Sequence, residues 1–146
     1  MSLRVAFDMD GTVADMVTVL KREARQLFGD GVASEDPGAG RAPEGGSKAA
    51  LEGEPVGPRQ QEARLWEHVR TIEDFWTTLP EQEPGIIAHL AATAERRRWE
   101  VLFITTRPPS AGDTTQRQTQ RWLQQHGFAL PSVFVVHRSR GKVAEA

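Results

Sequence analysis

Three short, continuously apolar runs, "LRVAFD" (3–8), "EVLFITT" (100–106) and "SVFVV" (132–136), are separated by stretches of helical length. Runs of this size, rich in β-branched and aromatic residues, read as strands, and strands without polar alternation are buried on both faces. Between the second and third runs, "TTQRQTQRWLQQHG" predicts a helix from Thr114 to a stop at Gly127. Before the second, "IIAHLAATAERRRW" puts Ile86, Ile87, Leu90, Ala91 and Ala94 on one helical face, with Pro84 suited to its first turn. After the first, Asp15 is placed to cap a helix carrying Met16, Leu20, Ala24, Leu27 and Phe28 at helical spacing. Such alternation predicts an α/β fold, a three-layer Rossmann-like parallel sheet with right-handed connections. Ligands bind such sheets at the carboxyl ends of the strands.

Residues 29–58 interrupt the pattern: their 30 positions hold 8 Gly and 4 Pro, with Val32, Leu51 and Val56 as the sizeable apolar groups. A segment of that composition buries too little to order itself and reads as a flexible insertion. Helical character resumes in "RQQEARLWEHVR", and Thr71 with Asp74 offers a capping pair ahead of Phe75 and Trp76. The predicted organisation is a core of residues 1–28 and 84–146, the insertion 29–58, and a small helical cap over 59–83.

Composition narrows the function. A chain of 146 residues with 38% hydrophobic content suffices for one domain with a core. A formal net charge of −2 with interspersed signs gives no basic patch, which argues against a nucleic-acid polymer or an anionic membrane as partner. No apolar run approaches a membrane span and the N-terminal one is too short for a signal peptide, so the expected location is cytoplasmic. There is no cysteine, and His68, His89, His126 and His137 lack metal-ligand spacing, so any metal must be held by oxygen.

The candidate chemistry lies where the first strand stops, in "VAFDMDGTVAD". Asp8 and Asp10 are like charges at a strand's carboxyl end. Two carboxylates that close repel unless a divalent cation lies between them or one carries a proton, and both arrangements serve catalysis. Gly11 lets the backbone turn and offers amides for an anion nest, for which phosphate is the natural ligand.

"FDMDGT" resembles the DxDGT signature of the haloacid dehalogenase superfamily, most of whose members are Mg²⁺-dependent phosphatases. The resemblance implies a nucleophilic Asp8, an Asp10 that protonates the leaving group and then activates water, and a metal held by Asp8 and Asp10. "VLFITTRP" resembles the second motif and offers Thr105, or Thr106 one residue on, as hydroxyl donor to the phosphoryl group, with Arg107 as a substrate contact. Lys142 in "SRGKVAEA" resembles the third-motif cation, with Arg138 and Arg140 as solvated competitors. The fourth motif, acidic residues on a further strand that complete the Mg²⁺ site, has no counterpart before Ala146. The resemblance thus implies a truncated chain with weak Mg²⁺ binding, little turnover and an open edge on the first strand. The helical insertion, the "FW" doublet and "FITTRP" resemble the 5′(3′)-deoxyribonucleotidase-like branch, in which Trp66, Phe75 or Trp76 would stack on a nucleobase or, alternatively, pack the cap against the core.

Three functions follow as expectations. The first is a Mg²⁺-dependent hydrolase of small phosphomonoesters, nucleotides among them, acting through an aspartyl-phosphate. The second is a phosphate- or metal-binding module without turnover. The third, a signalling receiver, fits poorly with so large an insertion after the first strand. Substrate identity and oligomeric state stay open.

Overall fold

The computed structural model describes residues 2–29, 58–137 and 139–146, so nearly all of the 29–58 insertion, and Arg138, lie outside the described residues. Strands β1 (Arg4–Asp8), β2 (Glu100–Thr105) and β3 (Ser132–Val135) form a parallel sheet in the order β1-β2-β3. The helices are α1 (Met16–Phe28), α2 (Pro58–Thr71), α3 (Ile86–Arg97), α4 (Thr115–Gln125) and α5 (Arg140–Glu145), with a 3₁₀ turn at Phe75–Thr77. The fold is therefore mixed α/β around a three-stranded parallel sheet, as the alternation of apolar runs predicts. No helix among the described residues is long and apolar enough to cross a membrane.

Register sets the site. Phe7 pairs with Phe103 and Asp8 with Ile104, while Thr105 pairs with Val135. Met9, the first residue past β1, is fully buried, while Asp8 at the strand end and Asp10 in the turn are half-buried. The carbonyl of Met9 then accepts from Thr12, Val13 and Ala14 N–H, closing a compact turn that leads into α1. Asp15 caps that helix, its carboxylate accepting from Thr18 N at 3.1 Å and Thr18 Oγ1 at 2.7 Å.

Elsewhere the caps differ from expectation. Helix α3 begins at Ile86 rather than Pro84, because the Glu81 carboxylate reaches across to accept from Gly85 N (3.2 Å) and Ile87 N (3.0 Å). Thr71 and Asp74 do not form a capping pair. Thr71 donates back to the His68 carbonyl, and the Asp74 carboxylate accepts from Asp113 N at 2.9 Å instead. Tertiary contact outcompetes the local motif.

One hydrophobic cluster joins Leu65, Trp66, Val69, Phe75 and Trp76 to Met9, Val19, Leu20, Phe103 and Trp122. The expected cap segment and the α/β core thus share a single interior. Several polar groups inside it are paired: Trp122 Nε1 donates to Leu79 O, and the fully buried Gln118 accepts from Trp76 N (3.0 Å) while donating to Asp113 O (2.7 Å), whereas Trp66 Nε1 is buried with no hydrogen-bond partner among the described residues.

Candidate functional site

The carboxyl ends of β1 and β2 and the start of α5 converge on two carboxylate–guanidinium pairs. At the first, Asp8 Oδ1 accepts from its own neighbour's amide, Met9 N, at 2.7 Å and from Arg140 Nη1 at 3.0 Å. Its side chain is 32% exposed, and Oδ2 has no hydrogen-bond partner among the described residues. Burial pushes the Asp8 carboxyl above its ordinary value of 3.8, and the charge of Asp10 adds to the rise. Arg140, the Met9 amide and Arg107 oppose it.

At the second, Arg107 forks onto Asp10: Nη2 donates to Oδ1 at 2.7 Å, and Nε lies 3.2 Å from Oδ1 and 3.0 Å from Oδ2. The Arg107 side chain is 0% exposed. Its third nitrogen, Nη1, donates to Thr119 Oγ1 at 3.1 Å, and the guanidinium lies over the Trp76 ring at 4.6 Å. A guanidinium so enclosed is not placed to touch a substrate directly.

The structure sorts the remaining residues named from sequence. Thr105 is buried, shares strand parity with Phe103 and accepts from Arg107 N at 3.4 Å. Thr106 is exposed, one residue past the end of β2. Gly11 makes the turn with φ +77°, but its amide donates to Ala14 O at 2.9 Å and is not presented to an anion. Lys142 is exposed and makes no ion pair among the described residues, whereas Arg140 reaches Asp8. Phe75 and Trp76 are buried at 0% and 1% exposure, and Trp76 Nε1 donates to Pro108 O at 2.9 Å, so both pack the interior rather than offer a free ring face.

A magnesium ion takes one or two carboxylates plus waters and phosphate oxygens. The two-carboxylate site expected from Asp8 and Asp10 is not assembled, because both Asp10 oxygens accept from Arg107 and one Asp8 oxygen faces Arg140. No group of three or more His, Cys, Asp or Glu gathers among the described residues. The donor set in this arrangement does not fit the metal.

No motif in the sequence marks Thr119 or Gln118 as part of this framework. A signal for them exists: Thr115, Gln118, Thr119, Trp122 and Leu123 follow helical spacing along one face and are all buried, so polar groups there must have buried partners. Compared with family models, with curated proteins and with solved structures, the chain matches none.

Proposed function

We propose that the chain is a phosphomonoester hydrolase on a haloacid-dehalogenase-like core, with Asp8 as the nucleophile. One observation carries this reading: at a strand's carboxyl end, Asp8 has one oxygen fixed by Arg140 and Met9 N while the other is without a partner among the described residues. A fixed oxygen orients the carboxylate, and the guanidinium brings positive charge to where a phosphate dianion must approach.

In the first step Asp8 Oδ2 bonds to phosphorus as the ester P–O bond breaks, and the departing alkoxide takes the proton that Asp10 Oδ2 carries. In the second, water attacks phosphorus while passing a proton back to Asp10 Oδ2, the bond from phosphorus to Asp8 Oδ2 breaks, and inorganic phosphate leaves with both aspartates restored. Asp10 is the acid–base group of the pair. Its Oδ2, which among the described residues accepts only from Arg107 Nε at 3.0 Å, is the less committed oxygen. Thr106, exposed just past the end of β2, is the hydroxyl donor to the phosphoryl group, and Arg140 takes the cationic role expected of Lys142.

The test is phosphate release from a panel of nucleoside monophosphates and sugar phosphates, with and without Mg²⁺, for the parent and Asp8→Asn. Release that depends on Asp8 supports the reading. The pairing of both carboxylates with arginine favours one other reading, a phosphate-binding module without turnover. Saturable binding of inorganic phosphate with no release from any ester would establish that one instead.

A further inference from the structure

The geometry points to Arg107 as a positioning residue that sets Asp10 for proton transfer to the leaving group, an inference that rests on the hydrolase reading above. Three elements fix its guanidinium. Asp10 in the turn after β1 accepts from Nη2 and Nε, Thr119 on α4 accepts from Nη1, and the Trp76 ring of the 3₁₀ turn covers its face. Thr119 is itself oriented, since its hydroxyl donates to Thr115 O at 2.7 Å and so turns a lone pair to Nη1. Arg107 N also donates to Thr105 Oγ1 at 3.4 Å, tying the backbone to the end of β2.

The fork is asymmetric. Asp10 Oδ1 takes the 2.7 Å bond and a second at 3.2 Å, while Oδ2 takes one at 3.0 Å. Oδ1 is thus the anchor and Oδ2 the oxygen that carries the proton, gives it to the departing ester oxygen and regains it from the water that attacks in the second step. A planar guanidinium fixes the rotation of a carboxylate, which the single charged point of a lysine does not. With a side chain at 0% exposure, Arg107 acts on substrate through Asp10 and not by contact.

A purely structural Arg107 and a positioning Arg107 differ in one readout, the dependence of rate on the leaving group. An aryl ester such as p-nitrophenyl phosphate leaves as a stable phenolate and needs little proton donation. An alkyl ester such as glycerol phosphate needs it fully. The experiment measures kcat and KM for both esters in the full chain, for the parent, Arg107→Lys and Thr119→Val, with cooperative thermal unfolding checked for each.

Arg107→Lys is expected to lower kcat for the alkyl ester by on the order of 100-fold and for the aryl ester by at least tenfold less, with KM little moved. Thr119→Val is expected to shift the same ratio in the same direction by a smaller factor, and it decides the matter if Arg107→Lys does not fold. Equal losses on both esters, or a change confined to KM, overturn the positioning role while leaving the hydrolase reading intact. If the parent and Asp8→Asn are alike on both esters, the hydrolase reading falls and this inference falls with it.

Discussion

Asp8 and Arg140 stand 132 positions apart in the chain and 3.0 Å apart in the fold. The contact joins the end of the first strand to the last helix and, of the two candidate cations among the described residues, brings Arg140 rather than Lys142 to Asp8. Its consequence for binding is direct. Arg140→Ala is expected to weaken inhibition by inorganic phosphate by about tenfold, near the value of one charge-assisted hydrogen bond. Lys142→Ala, which alters an exposed side chain with no ion pair among the described residues, is expected to change it by less than about twofold. Competition by phosphate in the hydrolysis assay, or calorimetric titration of the two variants, checks the contrast.

Asp8→Asn couples function to stability with a definite sign. The folded-state value of Asp8 is raised above 3.8, chiefly by burial. Stability from a raised carboxyl is fully present below the unfolded value and is lost as pH rises through the folded one. Asparagine does not ionise and escapes that loss. The variant is therefore expected to lose hydrolysis yet unfold at a higher urea concentration than the parent at pH 7, the difference shrinking as pH falls toward 3.8. Urea midpoints at several pH values decide it, and a gap that widens on acidification contradicts the account.

How far the sequence carries follows from where the information lies. The strands were legible because continuous apolar runs ending at Asp8, Thr105 and Val135 have few alternatives to a buried sheet. The placement of Asp8 and Asp10 at a strand end followed from the same runs. The partners did not. Arg107 meets Asp10 across 97 positions, and no local pattern says which of two carboxylates a loop arginine will take. Likewise, choosing among Arg138, Arg140 and Lys142 depends on where α5 starts, and its first residue is Arg140. The Thr71–Asp74 motif is a genuine local signal that a long-range bond to Asp113 overrides.

Burial of the aromatic doublet bears on substrate choice. With Phe75 and Trp76 at 0% and 1% exposure and the Trp76 face covered by Arg107, neither ring is open to a base. A base stacked on an aromatic ring contributes about 1–3 kcal/mol. Without that contribution, kcat/KM for purine and pyrimidine nucleoside monophosphates is expected to differ by less than about fivefold. A larger preference in the substrate panel would show that some other group reads the base.

Gln118 is expected to behave as a structural keystone rather than a surface residue. It is fully buried on α4, accepts from Trp76 N and donates to Asp113 O and Ser110 Oγ. Gln118→Leu keeps the approximate volume but strands the Trp76 amide and the Asp113 carbonyl. Leaving a buried polar group unpaired costs about 1–3 kcal/mol each. A loss of roughly 2–5 kcal/mol in denaturant unfolding is expected, together with weaker protection of the Trp76 amide in hydrogen exchange.

Two glycines separate backbone strain from crowding. Gly11 has φ +77° and open space, with nothing within 4 Å of where a Cβ would sit, whereas Gly112 has φ +94° and a Cβ there would lie 3.0 Å from the Asp74 backbone nitrogen and against its carboxylate. Alanine at Gly11 therefore meets only the left-handed penalty, about 1–2 kcal/mol. Alanine at Gly112 meets that penalty and also pushes on Asp74, whose carboxylate accepts from Asp113 N at 2.9 Å and whose own amide donates to Ala111 O at 2.8 Å. Because a backbone nitrogen cannot swing aside as a side chain does, the second substitution is expected to cost about 1–2 kcal/mol more than the first, roughly one or two hydrogen bonds. Paired urea melts of Gly11→Ala and Gly112→Ala measure the difference, and equal costs would mean that the Asp74 contact yields without loss.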